Sequence, residues 1–114
     1  MDIRVVEQTD ALTHVALSGR LDGEAVQLAE GRFHLATAGR RAHTVVDISA
    51  VTFLSSTGMR MLLTVAKALH GQGYKLVLLR PQHMPELGLK AAGLETLLPI
   101  AHAYDQALAL LHRL

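Results

Sequence analysis

Val45-Val46-Asp47-Ile48-Ser49-Ala50-Val51-Thr52-Phe53-Leu54-Ser55-Ser56-Thr57-Gly58 is the stretch on which the reading of the chain turns. Thr44 to Ile48 is a short, nearly all-apolar run, the pattern of an interior strand covered on both faces. Ser49 to Leu54 reads as a compact loop. Three hydroxyl residues and a glycine then open a helix running to about His70, with Ser56 or a neighbour as its N-cap. Met59, Leu62, Leu63, Ala66 and Leu69 fall on one face of that helix, and Met61 and Val65 broaden the stripe. Gly71-Gln72-Gly73 stops it.

Upstream, Ile3 to Glu7 and Leu12 to Ser18 read as two strands around a turn at Thr9-Asp10, which makes an antiparallel hairpin. Gly19-Arg20-Leu21-Asp22-Gly23 ends the second strand, and Asp22 is placed to cap a helix that begins near Glu24. That helix covers Ala25 to Ala38. Its apolar stripe consists of Val26, Leu28, Ala29, Phe33, Leu35 and Ala36, and Gly39 is the expected left-handed residue after it. Arg40-Arg41 reads as a solvated loop. Downstream, Tyr74 to Leu79 is another apolar strand ended by Pro81. Met84 to Ala92 is a short helix closed by Gly93. Leu97 to Ile100 reads as a short strand that Pro99 restricts to an edge or an end. Ala103 to Leu114 is the last helix.

Strands thus alternate with helices after an opening hairpin. Consecutive strand-helix-strand units require crossovers, so the later strands are expected to be parallel and connected right-handedly. The expectation is one α/β domain over residues 1–114, with a single, mostly parallel mixed sheet and about four helices.

The 114 residues suffice for a real core, and 50% of them are hydrophobic, which argues against disorder. Aromatics are only 4%, so the core is aliphatic. A formal net charge of +1 offers no basic excess for a phosphate backbone, and no nucleic-acid partner is expected. Cysteine is absent, which removes disulfides, thiolate metal sites and a cysteine nucleophile. Met1-Asp2-Ile3-Arg4 lacks the charged-then-apolar pattern of a signal peptide, and no apolar run approaches the ~20 residues that span a bilayer. A cytoplasmic location without membrane insertion is the expectation.

Enzyme chemistry finds no constellation. The histidines (His14, His34, His43, His70, His83, His102 and His112) show no metal-ligand spacing, and neither metal nor cofactor is expected. No phosphate-cradling glycine loop is present, and Ser56 lacks the preceding glycine of a nucleophile elbow. Met59, Met61 and Met84 offer polarizable side chains, and at helical spacing they read as core filler.

The hydroxyl cluster leaves two readings open. Capping alone accounts for it. Alternatively, a hydroxyl there is a modification site. A phosphoryl group at a helix N-terminus meets unpaired N–H groups and the positive end of the helix dipole, so the fold tolerates it. It also adds about −1.5 to −2 charges to a neutral patch, which a docking partner would meet. On this reading Gly58 keeps the first turn bare, so that a partner approaches closely.

The run from Asp47 to Gly58 resembles the signature of STAS domains, in particular bacterial anti-sigma factor antagonists: Asp-aliphatic-Ser, then Val-x-aromatic-aliphatic, then Asp/Ser-Ser-Ser/Thr-Gly opening a helix. Gly19-Arg20-Leu21-Asp22 is similar to the family's Gly-x-Leu-Asp. Ala92-Gly93-Leu94, followed by Leu97 to Ile100, is similar to its small-Gly-Leu segment. The resemblance implies a STAS fold and a non-enzymatic binding module. Such a module sequesters an anti-sigma factor that is also a serine kinase with a histidine-kinase-like ATPase fold. Phosphorylation releases it, and a metal-dependent serine phosphatase resets it. By position, Ser56 matches the phosphorylated serine and Thr57 the residue after it. Asp22 matches an acidic residue associated with kinase contact. The implied partner surface is Asp22, Ser55, Ser56, Thr57, Gly58 and Met59. Ser55 departs from the Asp of the best-studied members, which makes it a second candidate acceptor. The competing expectation is a constitutive STAS subunit of a transporter ATPase or signalling scaffold, with the cluster serving as cap and contact surface.

Overall fold

The computed structural model describes residues 1–113. Strand β1 (Asp2–Gln8) and strand β2 (Leu12–Leu21) form the antiparallel hairpin. Thr9 closes its turn. The Thr9 hydroxyl accepts from the Leu12 amide at 3.0 Å, so this residue, rather than an Asn-Gly pair, sets the register. Helix α1 (Gly23–Ala36), strand β3 (His43–Leu54), helix α2 (Ser56–Gly71), strand β4 (Leu76–Leu79), helix α3 (His83–Ala91), strand β5 (Ile100–Ala101) and helix α4 (Tyr104–Leu111) follow. The five strands lie in the order β1-β2-β3-β4-β5, with every pair after the hairpin parallel.

The mixed sheet with about four helices is therefore as the sequence implies. Sequential order in a parallel sheet, with crossovers of one hand, sends α1, α2 and α3 to the same face. Val15, Leu17, Val46, Ile48, Leu76 and Leu78 pack on that face against Val26, Phe33, Leu62, Leu69 and Leu89. Val45, Val77, Leu79 and Ala101 face the other way and are covered by Ala107 and Leu111 of α4. Adjacent residues of β3 and β4 thus serve opposite layers, which is why these strands read as unbroken apolar runs.

Several expectations are corrected. Ser49 to Leu54 is not a loop; β3 continues to Leu54, paired with β2 up to Leu21↔Leu54. The register slips between Ala16 and Ser18 and again between Gly19 and Arg20, each time adding a residue on β3. As a result Ile48, Val51 and Leu54 are the buried positions, a spacing of three that a period-two template cannot recognise. Gly19, at φ +87°, supplies the left-handed residue at the second slip.

Helix α1 ends at Ala36, two residues early, because the Thr37 hydroxyl donates to the Phe33 carbonyl at 2.6 Å. A short 3-10 turn, Ala38–Arg40, follows, and the left-handed residue is Arg41 (φ 56°), not Gly39. Arg40 is not a solvated loop residue. Its guanidinium donates to the Thr13 hydroxyl and the Thr9 carbonyl, both at 2.9 Å, and pins the hairpin to the end of α1. Leu28 and Leu35 leave the predicted stripe and stand 77% and 73% exposed, about 200° around the helix from Val26 and Phe33.

The last strand is Ile100–Ala101; of the expected Leu97 to Ile100 only Ile100 is in it, and Leu94–Thr96 is a 3-10 turn. Gly93, at φ 70°, does close α3. Met84 is not core filler, being 71% exposed, whereas Met61 is buried. The expected end of the last helix, Leu114, lies outside the described residues.

Candidate functional site

The carboxyl ends of β2, β3 and β4 lie at one end of the sheet, so α1, α2 and α3 start there side by side. The site grows from the middle start. Ser55, extended at φ −77° and ψ 168°, is the N-cap of α2. Its hydroxyl accepts from the Gly58 amide at 3.0 Å and donates to the Leu21 carbonyl at 2.7 Å. The Ser55 amide donates to the same carbonyl at 3.1 Å. Both the accepting and the donating capacity of this hydroxyl are in use. An aspartate at position 55 would also cap, but when ionised it could not donate to Leu21.

Ser56 is the first residue of the helix and is exposed, as is Thr57. Among the described residues the Ser56 hydroxyl has no hydrogen-bond partner in the protein, so the cap is Ser55 and the neighbour's hydroxyl is left to solvent. The macrodipole and the free amides of the first turn make this position hospitable to negative charge.

Gly58 corrects the expectation of a bare contact surface: it is buried. A Cβ on it would meet the Leu21 carbonyl at 2.7 Å and the Leu54 side chain at 2.9 Å. The glycine lets α2 settle onto the ends of β2 and β3, and its contribution to any partner surface is indirect. Met59 is half-buried and packs on the core. It also reaches α3, where a Cβ on Gly88 would come within 2.8 Å of its methyl group. Met59 therefore links the first turn of α2 to the middle of α3.

Asp22 caps the neighbouring helix, accepting from the Ala25 amide at 2.9 Å. Its other oxygen lies 3.7 Å from Arg20 Nε. That pair is solvent-exposed and contributes little to stability. The position of a Cβ on Gly23 would be 4.0 Å from the Thr57 hydroxyl, which puts the Asp22 turn directly beside the start of α2. The fold thus brings Asp22, Ser55, Ser56 and Thr57 to one end of the sheet, with Gly58 and Met59 beneath them.

The sequence reading missed two neighbours. Phe53, 40% exposed, carries the Arg20 guanidinium 4.4 Å above its ring. Between Phe53 and Met84 runs a groove of about 160 Å³, lined also by Thr52 and Pro85. The clue available in the sequence was the aromatic at position 53 in a chain with only two phenylalanines. Nearby, Glu86 binds Lys90 Nζ at 2.9 Å and His102 Nε2 at 3.0 Å. The hydrogen bonds from His102 and Lys90 hold the Glu86 carboxyl below its ordinary range. No group of three or more metal-ligating side chains occurs among the described residues.

The STAS domain model matches residues 3–107. The chain belongs to the STAS domain family. Among solved structures, a candidate anti-sigma factor antagonist from Thermotoga maritima superposes with a TM-score of 0.82 at 17% identity, covering 98% of this chain and 94% of the other. An anti-sigma factor antagonist from Mycobacterium paratuberculosis gives 0.75 at 23% identity, with 98% and 96% covered. The Bacillus cell fate determinant SpoIIAA in its phosphorylated form gives 0.69 at 19% identity, with 96% and 98% covered. No curated protein sequence matches the chain significantly. At these identities the structural likeness establishes the STAS fold. No helix among the described residues is long and apolar enough to cross a membrane.

Proposed function

We propose that this STAS domain is an anti-sigma factor antagonist, a cytoplasmic binding module switched by phosphorylation of Ser56. The observation that carries the proposal is the division of labour between adjacent serines. Ser55 spends its hydroxyl on the cap and on Leu21, whereas Ser56 presents a free hydroxyl at the first turn of α2. An acceptor must be reachable by a kinase and must carry a phosphate without breaking the structure around it. Ser56 meets both conditions, while modifying Ser55 would remove a hydrogen bond and force bulk against the Leu21 carbonyl. The similarity to SpoIIAA, solved in a phosphorylated form, adds support.

In its unmodified state the end of the sheet around Asp22, Ser56 and Thr57 binds an anti-sigma factor that is itself a serine kinase of the histidine-kinase-like ATPase fold. Phosphate on Ser56 places about −1.5 to −2 charges in the contact, beside the carboxylate of Asp22, and the complex separates. A metal-dependent serine phosphatase restores the binding form. The scaffold needs no rearrangement, because the first-turn amides and the dipole accept the charge locally.

The test is a binding titration of the cognate kinase with wild type, Ser56→Ala and Ser56→Asp. Ser56→Ala retains affinity and Ser56→Asp loses it by about tenfold or more. Undiminished binding by Ser56→Asp contradicts the proposal and favours a constitutive STAS subunit whose hydroxyl cluster is only cap and contact surface.

A further inference from the structure

The outer face of α1 carries an apolar seam that the fold does not use. Leu28 and Leu35, seven residues apart and among the most exposed large apolar side chains of the molecule, stand 77% and 73% exposed. Gly31 lies between them on the same face, and nothing approaches within 4 Å of where its Cβ would be. Glu24, Leu28, Gly31 and Leu35 follow a four-three-four spacing, which aligns them along one helix stripe as in a coiled-coil seam. Phe33 and Val26, on the opposite side, hold the helix to its own core.

We infer that this seam pairs with a second copy of the chain, α1 against α1, antiparallel about a two-fold axis. Three features select this occupant. First, the seam is self-complementary in shape. With Leu28 of each copy seated over Gly31 of the other, the same offset brings Leu35 opposite Glu24. Beside Glu24, at the start of α1, there is a shallow depression of about 390 Å³ bordered by Met1, Ala25 and Leu28 on its apolar side and by the Arg20–Asp22 ion pair on the other. Each leucine therefore has a place to go, and the glycine lets the two backbones come close.

Second, the charges run in opposite senses along the helix. Along the seam Glu24 occupies the first turn and Arg32 the second half, with His34 beyond it; Glu30, also in the second half, lies about 200° around the helix from Leu28 and off the seam. Neither Glu24 nor Arg32 has an ion-pair partner among the described residues. Antiparallel pairing brings Glu24 of one copy within reach of Arg32 of the other, twice per dimer, while parallel pairing sets like charge beside like. Third, the macrodipoles favour the same antiparallel arrangement. A two-fold contact of this kind is closed and stops at the dimer.

The interface is small. The helix of 14 residues is about 21 Å long, so the pairing falls below the size of a standard stable interface. A concentration-dependent dimer with Kd on the order of 0.1 mM is the expected strength.

Sedimentation equilibrium on the full chain tests it. Wild type is predicted to dimerise, and Leu28→Gln and Leu35→Gln each to raise Kd by about tenfold. Because these side chains are exposed, the thermal melts of the variants remain those of wild type. Reversing Glu24→Arg or Arg32→Glu weakens the dimer, and the double reversal restores it. The absence of cysteine allows a second, geometric readout. When Leu28→Cys and Gly31→Cys chains are mixed and mildly oxidised, the mixed disulfide exceeds both homodisulfides. A chain that stays monomeric up to about 1 mM, or a dimer indifferent to the leucine variants, overturns the inference. Preferential homodisulfides overturn the antiparallel offset.

Discussion

Ser55 and Ser56 carry the same side chain, yet their chemistry diverges because one carbonyl, that of Leu21, is within reach of the first and not of the second. Loss of an N-cap hydroxyl costs about 1 kcal/mol, and the additional bond to Leu21 takes Ser55→Ala to about 1–2 kcal/mol. Ser56→Ala, at a solvated position, stays within about 0.5 kcal/mol of wild type. Urea unfolding of both variants measures the difference; equal destabilisation would show that the hydroxyl roles are assigned wrongly. Gly58→Ala is predicted to be the more damaging change, about 1–3 kcal/mol, since its methyl would press on the Leu21 backbone, which cannot give way as a flexible side chain can. A variant as stable as wild type would mean that α2 sits further from β2 than described. The pairing of these residues was legible only in part. The sequence marks a cap somewhere in Ser55-Ser56-Thr57, but which hydroxyl serves depends on Leu21, thirty-four residues upstream.

Among the elements, β3 shows how tertiary pairing overrides a local pattern. Its buried positions after Asp47 are spaced by three because two bulges add residues opposite β2, and no periodicity rule applied to β3 alone would detect a strand there. By contrast α2, whose apolar face needs no partner to be recognised, runs nearly as the sequence implies. The exposed Leu28 and Leu35 of α1 carry the same lesson: leucine does not announce which side of a helix the sheet will take. The packing of α4 on β2 makes a pH-dependent element. His14 stacks on Tyr104 with ring centroids 5.1 Å apart, and its Nε2 is buried without a partner. Burial holds this histidine below its ordinary 6.5, against the opposing pull of Asp47 and Glu7. The folded ring therefore binds fewer protons than the unfolded one. Its contribution is fully present above pH 6.5 and is lost as pH falls towards the depressed value. His43, lowered by burial and then by His112 and Lys75, acts in the same direction. The free energy of unfolding is predicted to decrease between about pH 7 and 5. His14→Phe, which keeps an aromatic ring beside Tyr104, makes that decrease shallower. An unchanged slope in this variant would remove His14 as a source.

For the molecule as a whole, the sequential strand order places three helix starts at one end of the sheet, and the site is a consequence of that topology. The alternation of strands and helices was legible because each parallel crossover demands a helix of recognisable length. The convergence of Asp22 with Ser56 and Thr57 was not, since it depends on β2 and β3 ending level at Leu21 and Leu54. That scaffold is fixed where the proposed switch needs it to be: Ser55 and Gly58 lock the helix start, while the hydroxyls of Ser56 and Thr57 stay exposed. The central claim is that Ser56 is the phosphate acceptor. It is tested most directly by incubating the chain with its cognate kinase and ATP, then localising the modification by tandem mass spectrometry. A single phosphate on Ser56, absent in Ser56→Ala, is the predicted result; phosphate on Ser55, or none in the presence of active kinase, would contradict it.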